Sequence, residues 1–179
     1  MQVDRQWTLF LDRDGVINEE IKGSYVLDWG MFRFSEGVLE ALAMLSQRFG
    51  RIVVVTNQRC IGKGLLTAGG LQDIHQHMTA EIVAAGGRID GIYYCPDIDS
   101  TSPCRKPQTG MAMQAQRDFA EIDFQRAVMV GNTLSDMQFG KTLGMTTVFI
   151  PSTLPDTAFP HPLIDRRCDS LLAFSRLLQ

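Results

Sequence analysis

Two aspartates two positions apart, Asp12 and Asp14, follow the apolar run Thr8–Leu11 directly and precede Gly15. Like charges at the end of a buried segment repel, and the arrangement becomes tolerable when a divalent cation sits between them and a phosphate replaces lost water. One carboxylate can then attack phosphorus while the other moves a proton onto the leaving oxygen and off the incoming water. Asp12 is the candidate nucleophile and Asp14 the candidate general acid/base, with Gly15 allowing a sharp turn beside them. The same residues also read as an Asp-x-Asp-Gly turn whose carboxylates make only local Asx-type hydrogen bonds.

Other segments supply complementary chemistry, each with a plainer reading beside it. Thr56, Asn57 and Gln58 follow the β-branched run Ile52–Val55 and offer a hydroxyl and backbone N–H groups to phosphoryl oxygens, or form a helix cap. Lys106 precedes Pro107; it is a solvated lysine, or it points inward and neutralises charge on Asp12 and a phosphoryl group, with Arg105 free for a second anion. Asn132 and Asp136 follow the run Ala127–Val130 and either cap a helix or place oxygens on a magnesium ion. Together they read as nucleophile, phosphate donor, cation and metal ligand, delivered at successive strand ends.

The elements that must position these groups alternate. Thr8–Leu11, Ile52–Val55, Ile89–Tyr94, Ala127–Val130 and Thr146–Ile150 read as buried strands. Between them run helices: one capped by Ser35 with Val38, Leu42, Leu45 and Phe49 on one face, one carrying Leu71, Ile74, Met78 and Ile82, then Met111–Ala120 and Leu134–Leu143. Leu171–Leu178 reads as a closing helix. Strand and helix in alternation predict an α/β fold with a doubly wound parallel sheet, in which ligands sit at the strands' carboxyl ends.

At 179 residues, one domain spanning 1–179 is expected, with no inserted second one. A net charge of −3 and no basic stripe argue against nucleic acid as partner, and the absence of a long apolar run argues against a membrane span. The start Met1–Trp7 lacks the pattern of a signal peptide, so a cytoplasmic monomer is the expectation. The cysteines Cys60, Cys95, Cys104 and Cys168 are scattered and read as packing or loop residues. His75 and His77 lie two apart on a helix and project to different faces, and His161 sits between prolines; all three read as solvated or hydrogen-bonded. The methionines read as core packing.

The segments DRDGVIN, VVVTNQ, YYCP…CRKP..GM and MVGNTLSDMQFG resemble the four motifs of the capless phosphatases of the haloacid dehalogenase superfamily. The likeness covers roughly residues 8–150, and four motifs in order are far more specific than any one of them. It implies a Rossmann-like fold without a cap domain and a magnesium-dependent phosphomonoester hydrolase. Carried over, Asp12 is the nucleophile, Asp14 the general acid/base, and Thr56 and Lys106 stabilise the phosphoryl group. Arg105 recognises substrate, and residues 20–25, including Tyr25, with Asn57, Gln58 and Arg59, line its entrance. Magnesium is held by Asp12, the Asp14 carbonyl and Asn132, with Asp136 in reserve.

Two departures from the resembled pattern stand out. Asn132 occupies a position where the family commonly has Asp, and a neutral amide oxygen offers Mg²⁺ less charge, so weaker metal binding is expected unless Asp136 compensates. A catalytically weakened phosphate-binding protein is therefore a second reading. Many relatives also carry a zinc loop of Cys-x-His and Cys-x-Cys, where this chain has Cys95-Pro96-Asp97 and Ser102-Pro103-Cys104; structural zinc is not expected. Both intervals that host caps in the superfamily are short here, so the site should be open and its specificity set by its rim. A small phosphorylated substrate with a second anionic group suits Arg105 or Arg59: a heptose bisphosphate, another sugar phosphate or histidinol phosphate. A nucleotide-binding oxidoreductase domain shares the alternating pattern, but no GxGxxG turn follows the first strand.

Overall fold

The computed structural model describes residues 1–178. Its strands are β1 (Thr8–Leu11), β2 (Arg51–Asn57), β3 (Gly91–Cys95), β4 (Ala127–Gly131), β5 (Thr146–Phe149) and β6 (Arg166–Arg167). They form one six-stranded parallel sheet in the order β3-β2-β1-β4-β5-β6. The helices are α1 (Val38–Arg48), α2 (Arg59–Gly62), α3 (Ala68–Ala84), α4 (Gly110–Asp118), α5 (Leu134–Thr142) and α6 (Leu171–Arg176). The predicted α/β class and doubly wound sheet are what forms, with β6 and the single-turn α2 additional to the sequence reading.

Alternation along the strands makes two separate apolar layers, since neighbouring strand residues face opposite sides of a sheet. Leu9, Leu11, Ile52, Val54, Val128 and Val130 pack with Leu42 and Leu45 of α1, Ile74, Met78 and Ile82 of α3, and Phe174 of α6. Phe10, Val53, Val55 and Met129 face the other way onto Met111 and Ala115 of α4 and Phe139 of α5. The predicted stripe on α3 is buried in full, and Thr67 caps that helix by accepting from the Gly70 N–H at 3.0 Å.

The start of α1 differs from the sequence reading. The cap falls on Gly37, not Ser35, and Gly37 has φ 69°. A Cβ there would lie 2.6 Å from Leu172 Cδ2, so both the left-handed backbone and the close approach of α6 call for glycine. Ser35 instead gives its carbonyl to the Val38 N–H at 3.1 Å. The local sequence favoured a hydroxyl cap; packing of α6 against the helix start decided otherwise.

The strand order reverses beside β1, which is flanked by β2 on one side and β4 on the other. At such a switch point the connections leave in opposite directions and open a crevice at the carboxyl ends. Asp12 lies at the end of β1, Thr56 near the end of β2, and Asn132 just after β4.

Candidate active site

A cleft of about 410 Å³ lies at those strand ends, a volume suited to a small molecule. Asp12, Asp14, Tyr25, Thr56, Asn57, Gln58, Arg59, Arg105, Lys106, Asn132 and Asp136 all line it. Every site residue expected from the sequence is therefore in one place. Their individual contacts divide them into groups free to act on a ligand and groups that hold others.

Lys106 is buried on the cleft floor, with Nζ 2.9 Å from Asp12 Oδ1 and 2.6 Å from Asp136 Oδ1. Of its two readings, the inward one holds. Asn57 puts it there: its Nδ2 donates to the Lys106 carbonyl at 3.2 Å and its Oδ1 accepts from the Lys106 N–H at 3.0 Å. The amide of Asn57, placed by the sequence reading on the substrate's path, is thus taken up by the backbone of the lysine loop. The Lys106–Pro107 peptide is cis.

Burial pushes the Asp12 carboxyl up to about 7, against the pull of Lys106 and with the negative charges of Asp136 and Asp14 adding to the rise. Oδ1 of Asp12 takes both the Lys106 contact and the Arg13 N–H at 2.8 Å. Asp136 spends Oδ2 on the start of α5, accepting from the N–H groups of Asn132 (3.2 Å) and Thr133 (3.0 Å) and from the Thr133 hydroxyl (2.7 Å). Sequence reading offered Asp136 as cap or metal ligand; its contacts make it a cap and the second anion of Lys106.

Asp14 is surrounded by donors. Arg13 Nη2 reaches both its oxygens at 2.8 and 3.0 Å, Asn18 Nδ2 donates at 2.9 Å and Gln58 Nε2 at 2.8 Å. Burial opposes its ionisation, but Arg13 and these amides together hold the carboxyl below its ordinary value. Gln58 also donates to Thr56 Oγ1 at 2.9 Å, so the buried threonine keeps its own O–H for another acceptor. Neither Asp is confined to a local turn: Lys106 engages Asp12 and Gln58 engages Asp14, each from a distant segment of the chain.

Gly15 joins the first motif to the fourth. Its φ is 86°, and a Cβ there would lie 2.0 Å from Asn132 Nδ2. Asn132 itself is buried, its Nδ2 donates to Thr153 Oγ1, and its Oδ1 has no protein partner. A buried carbonyl oxygen left unpaired is costly, and a hard cation would satisfy it.

At the rim, burial first and the neighbouring Arg59 charge second push Arg105 below its usual value. Lys63 donates to the Tyr25 hydroxyl at 2.9 Å. Sequence reasoning missed Lys63 and Thr153, which lie far along the chain from Tyr25 and Asn132, and gave no role to Arg13 and Asn18, although both stand beside Asp14 in the segment DRDGVIN.

Cys95 and Cys104 correct an expectation: they are not ordinary loop residues but form a disulfide, with Cα atoms 5.4 Å apart. The bond ties the end of β3 to the segment that carries Arg105 and Lys106. Disulfide sulfurs are not thiolates, so although Asp97 lies beside them, this loop as it stands does not fit zinc. Cys60 and Cys168 are free and buried. His75 is buried against Arg13, His77 is stacked on Trp29, and His161 Nδ1 accepts from the Leu163 N–H. Among the described residues, no helix is long and apolar enough to cross a membrane.

A parallel sheet with this strand order, and a carboxylate pair, threonine, lysine and helix-capping acid converging on its switch point, define a phosphatase of the haloacid dehalogenase type. The HAD-hydrolase-like family model matches residues 103–157. Two similar relatives are the D-glycero-alpha-D-manno-heptose-1,7-bisphosphate 7-phosphatase of Mycobacterium bovis, 35% identical over 95% of this chain and 90% of the relative, and the beta counterpart of Vibrio cholerae, 39% identical over 81% of each. A crystal structure of D,D-heptose 1,7-bisphosphate phosphatase from B. bronchiseptica, complexed with magnesium and phosphate, superposes with a TM-score of 0.85 at 29% identity, covering 96% of this chain and 97% of that one. The chain belongs to the heptose-bisphosphate phosphatase family of the haloacid dehalogenase-like hydrolases.

Proposed function

We propose that this phosphatase removes a phosphoryl group from a D-glycero-D-manno-heptose 1,7-bisphosphate through an aspartyl-phosphate on Asp12. The observation that carries the reading is the buried Asp12–Lys106–Asp136 cluster on the floor of a cleft whose rim bears Arg59 and Arg105. In the first step an Asp12 oxygen bonds to phosphorus, the bond from phosphorus to the sugar oxygen breaks, and Asp14 gives that oxygen its proton. In the second, water attacks phosphorus as Asp14 takes a proton back, releasing phosphate and the Asp12 carboxylate.

Asp14 is held ionised in the free site, and an arriving phosphoryl dianion beside it would favour its protonated form, which is the form the first step needs. Thr56 Oγ1 and Lys106 Nζ stabilise the charge on the transferring group. Two arginines at the rim match a second anionic group on the substrate, and two phosphates distinguish a bisphosphate from simpler sugar phosphates. Histidinol phosphate, with a single phosphate and a cationic amine, suits this rim less well.

Magnesium fits the donors present: the unpaired Asn132 Oδ1, the Asp12 carboxylate and the Asp14 backbone carbonyl would hold it. When bound it would lower the cost of ionising Asp12 and draw charge from the phosphoryl oxygens. The working unit in this proposal is one domain, residues 1–179, acting as a monomer.

The test is phosphate release from both anomers of heptose 1,7-bisphosphate, histidinol phosphate and hexose monophosphates, with and without Mg²⁺, with Asp12→Asn as control. Magnesium-dependent release from a heptose bisphosphate, abolished in Asp12→Asn, is expected. Tight binding without release from any member would instead favour the weakened phosphate-binding protein.

A further inference from the structure

Arg13, the residue between the two aspartates, has a fully buried guanidinium that makes two separate contacts. Its Nη2 reaches both Asp14 oxygens, and its Nη1 lies 3.1 Å from His75 Nε2, contributed by α3. A guanidinium has donors only and stays protonated, so His75 must accept at Nε2 and carry its proton on Nδ1. Because the guanidinium is planar and rigid, anchoring Nη1 fixes the direction in which Nη2 points. We infer that Arg13 and His75 are positioning residues for Asp14: the neutral imidazole orients the guanidinium, and the guanidinium sets where the carboxylate stands relative to the leaving oxygen.

Burial and the neighbouring Arg13 charge push His75 down to about 3, in keeping with a neutral acceptor. The arrangement also explains a buried arginine beside a catalytic pair. Asn18 and Gln58 reach Asp14 from its own turn and from the end of β2. Among the described residues, Arg13 alone connects it to α3, through His75, 62 residues from Arg13 in the chain, so the helix's packing on the sheet is transmitted to the proton donor. His75 touches neither aspartate and acts through Arg13. The inference rests on the reading of Asp14 as the proton donor.

The experiment compares kcat/KM of wild type, His75→Leu and His75→Gln on two substrates. One is a sugar phosphate, whose alkoxide leaving group needs a proton. The other is p-nitrophenyl phosphate, whose leaving group departs without one. Because kcat/KM reports only steps up to departure of the leaving group, His75→Leu should lower it about tenfold or more for the sugar phosphate, and by less than about twofold for the aryl phosphate. His75→Gln, which keeps an acceptor, should recover most of the loss. Equal losses on both substrates, or none on either, would overturn the inference. Should His75→Leu not fold, Arg13→Met/His75→Leu removes the buried charge along with its partner and is read in the same way. Failure of wild type to release phosphate from either substrate would count against the phosphatase reading itself. The inference is then decided by the ¹⁵N shifts of His75 at neutral pH: an Nδ1–H tautomer with Nε2 accepting supports it, and an Nε2–H tautomer sinks it.

Discussion

Replacing Lys106 by Met removes the one cation between two buried carboxylates while keeping most of the side-chain volume. The Lys106 and Asp136 side chains are 2% and 1% exposed and Asp12 only 12%, so water cannot take over the lysine's role. Breaking a buried pair of this kind costs about 3–5 kcal/mol, which for a chain of this size lowers the melting temperature by about 10 °C. The loss has a predictable pH dependence. In the wild type the Asp12 carboxyl already sits at about 7, above its ordinary 3.8, so the folded state holds that proton more tightly than the unfolded chain. Stability therefore falls as pH rises from about 4 to about 7. Without Lys106 the carboxyl moves higher still, so in the mutant the fall continues beyond neutral pH. Thermal melts of both proteins in EDTA should show a gap that is largest near pH 8 and shrinks towards pH 5, where Asp12 is protonated in each. A gap of the same size at both pH values would refute the argument that the lysine's contribution is charge compensation. Turnover should fall by about 10²–10³-fold in the same mutant, since a preorganised cation is lost from the transferring group.

Other expectations follow from single contacts. His75 is held neutral down to about 3 while the unfolded chain protonates it near 6.5, so stability is lost as pH falls through that window. At pH 5 this amounts to about 2 kcal/mol, and urea titrations of His75→Gln should lose correspondingly less between pH 7 and 5. Reducing the Cys95–Cys104 disulfide, which closes a short loop, should cost about 2–3 kcal/mol in the loop-entropy picture; melts with and without dithiothreitol, using Cys104→Ser as the control that should not respond, measure it. Asn132→Asp should tighten magnesium binding, seen by calorimetry and as a larger Mg²⁺-dependent rise in melting temperature than in wild type; equal rises would remove Asn132 from the ligand set.

Much of the site could be read from the chain because each part lies at a strand end. Strand-ending polar residues after buried runs at Asp12, Thr56 and Asn132 are legible from hydropathy alone, and a parallel sheet must gather its carboxyl ends on one edge. What those residues touch was not legible. The family resemblance implied that Asn57 and Gln58 line the substrate's entrance; both do line the cleft, and the structure adds that Asn57 clamps the Lys106 backbone and Gln58 holds Asp14 and Thr56. Their partners lie more than 40 residues away in three of these four bonds, and nothing local specifies such distances.

The sequence by itself determined the class of fold, the location of the site and the identity of the candidate nucleophile, because those follow from periodicity and from motifs contained within a few residues. Tertiary structure decided the division of labour. Asp136, already legible as a cap, became a counter-ion as well because the Lys106 side chain reaches the start of α5, and Cys95 met Cys104 because the loop after β3 folds back on the strand. His75 reached Arg13 because α3 packs on the same face of the sheet as Leu9 and Leu11 of β1. Each of these is a contact between segments whose separation along the chain carries no information about their separation in space, so only the packed sheet could supply them.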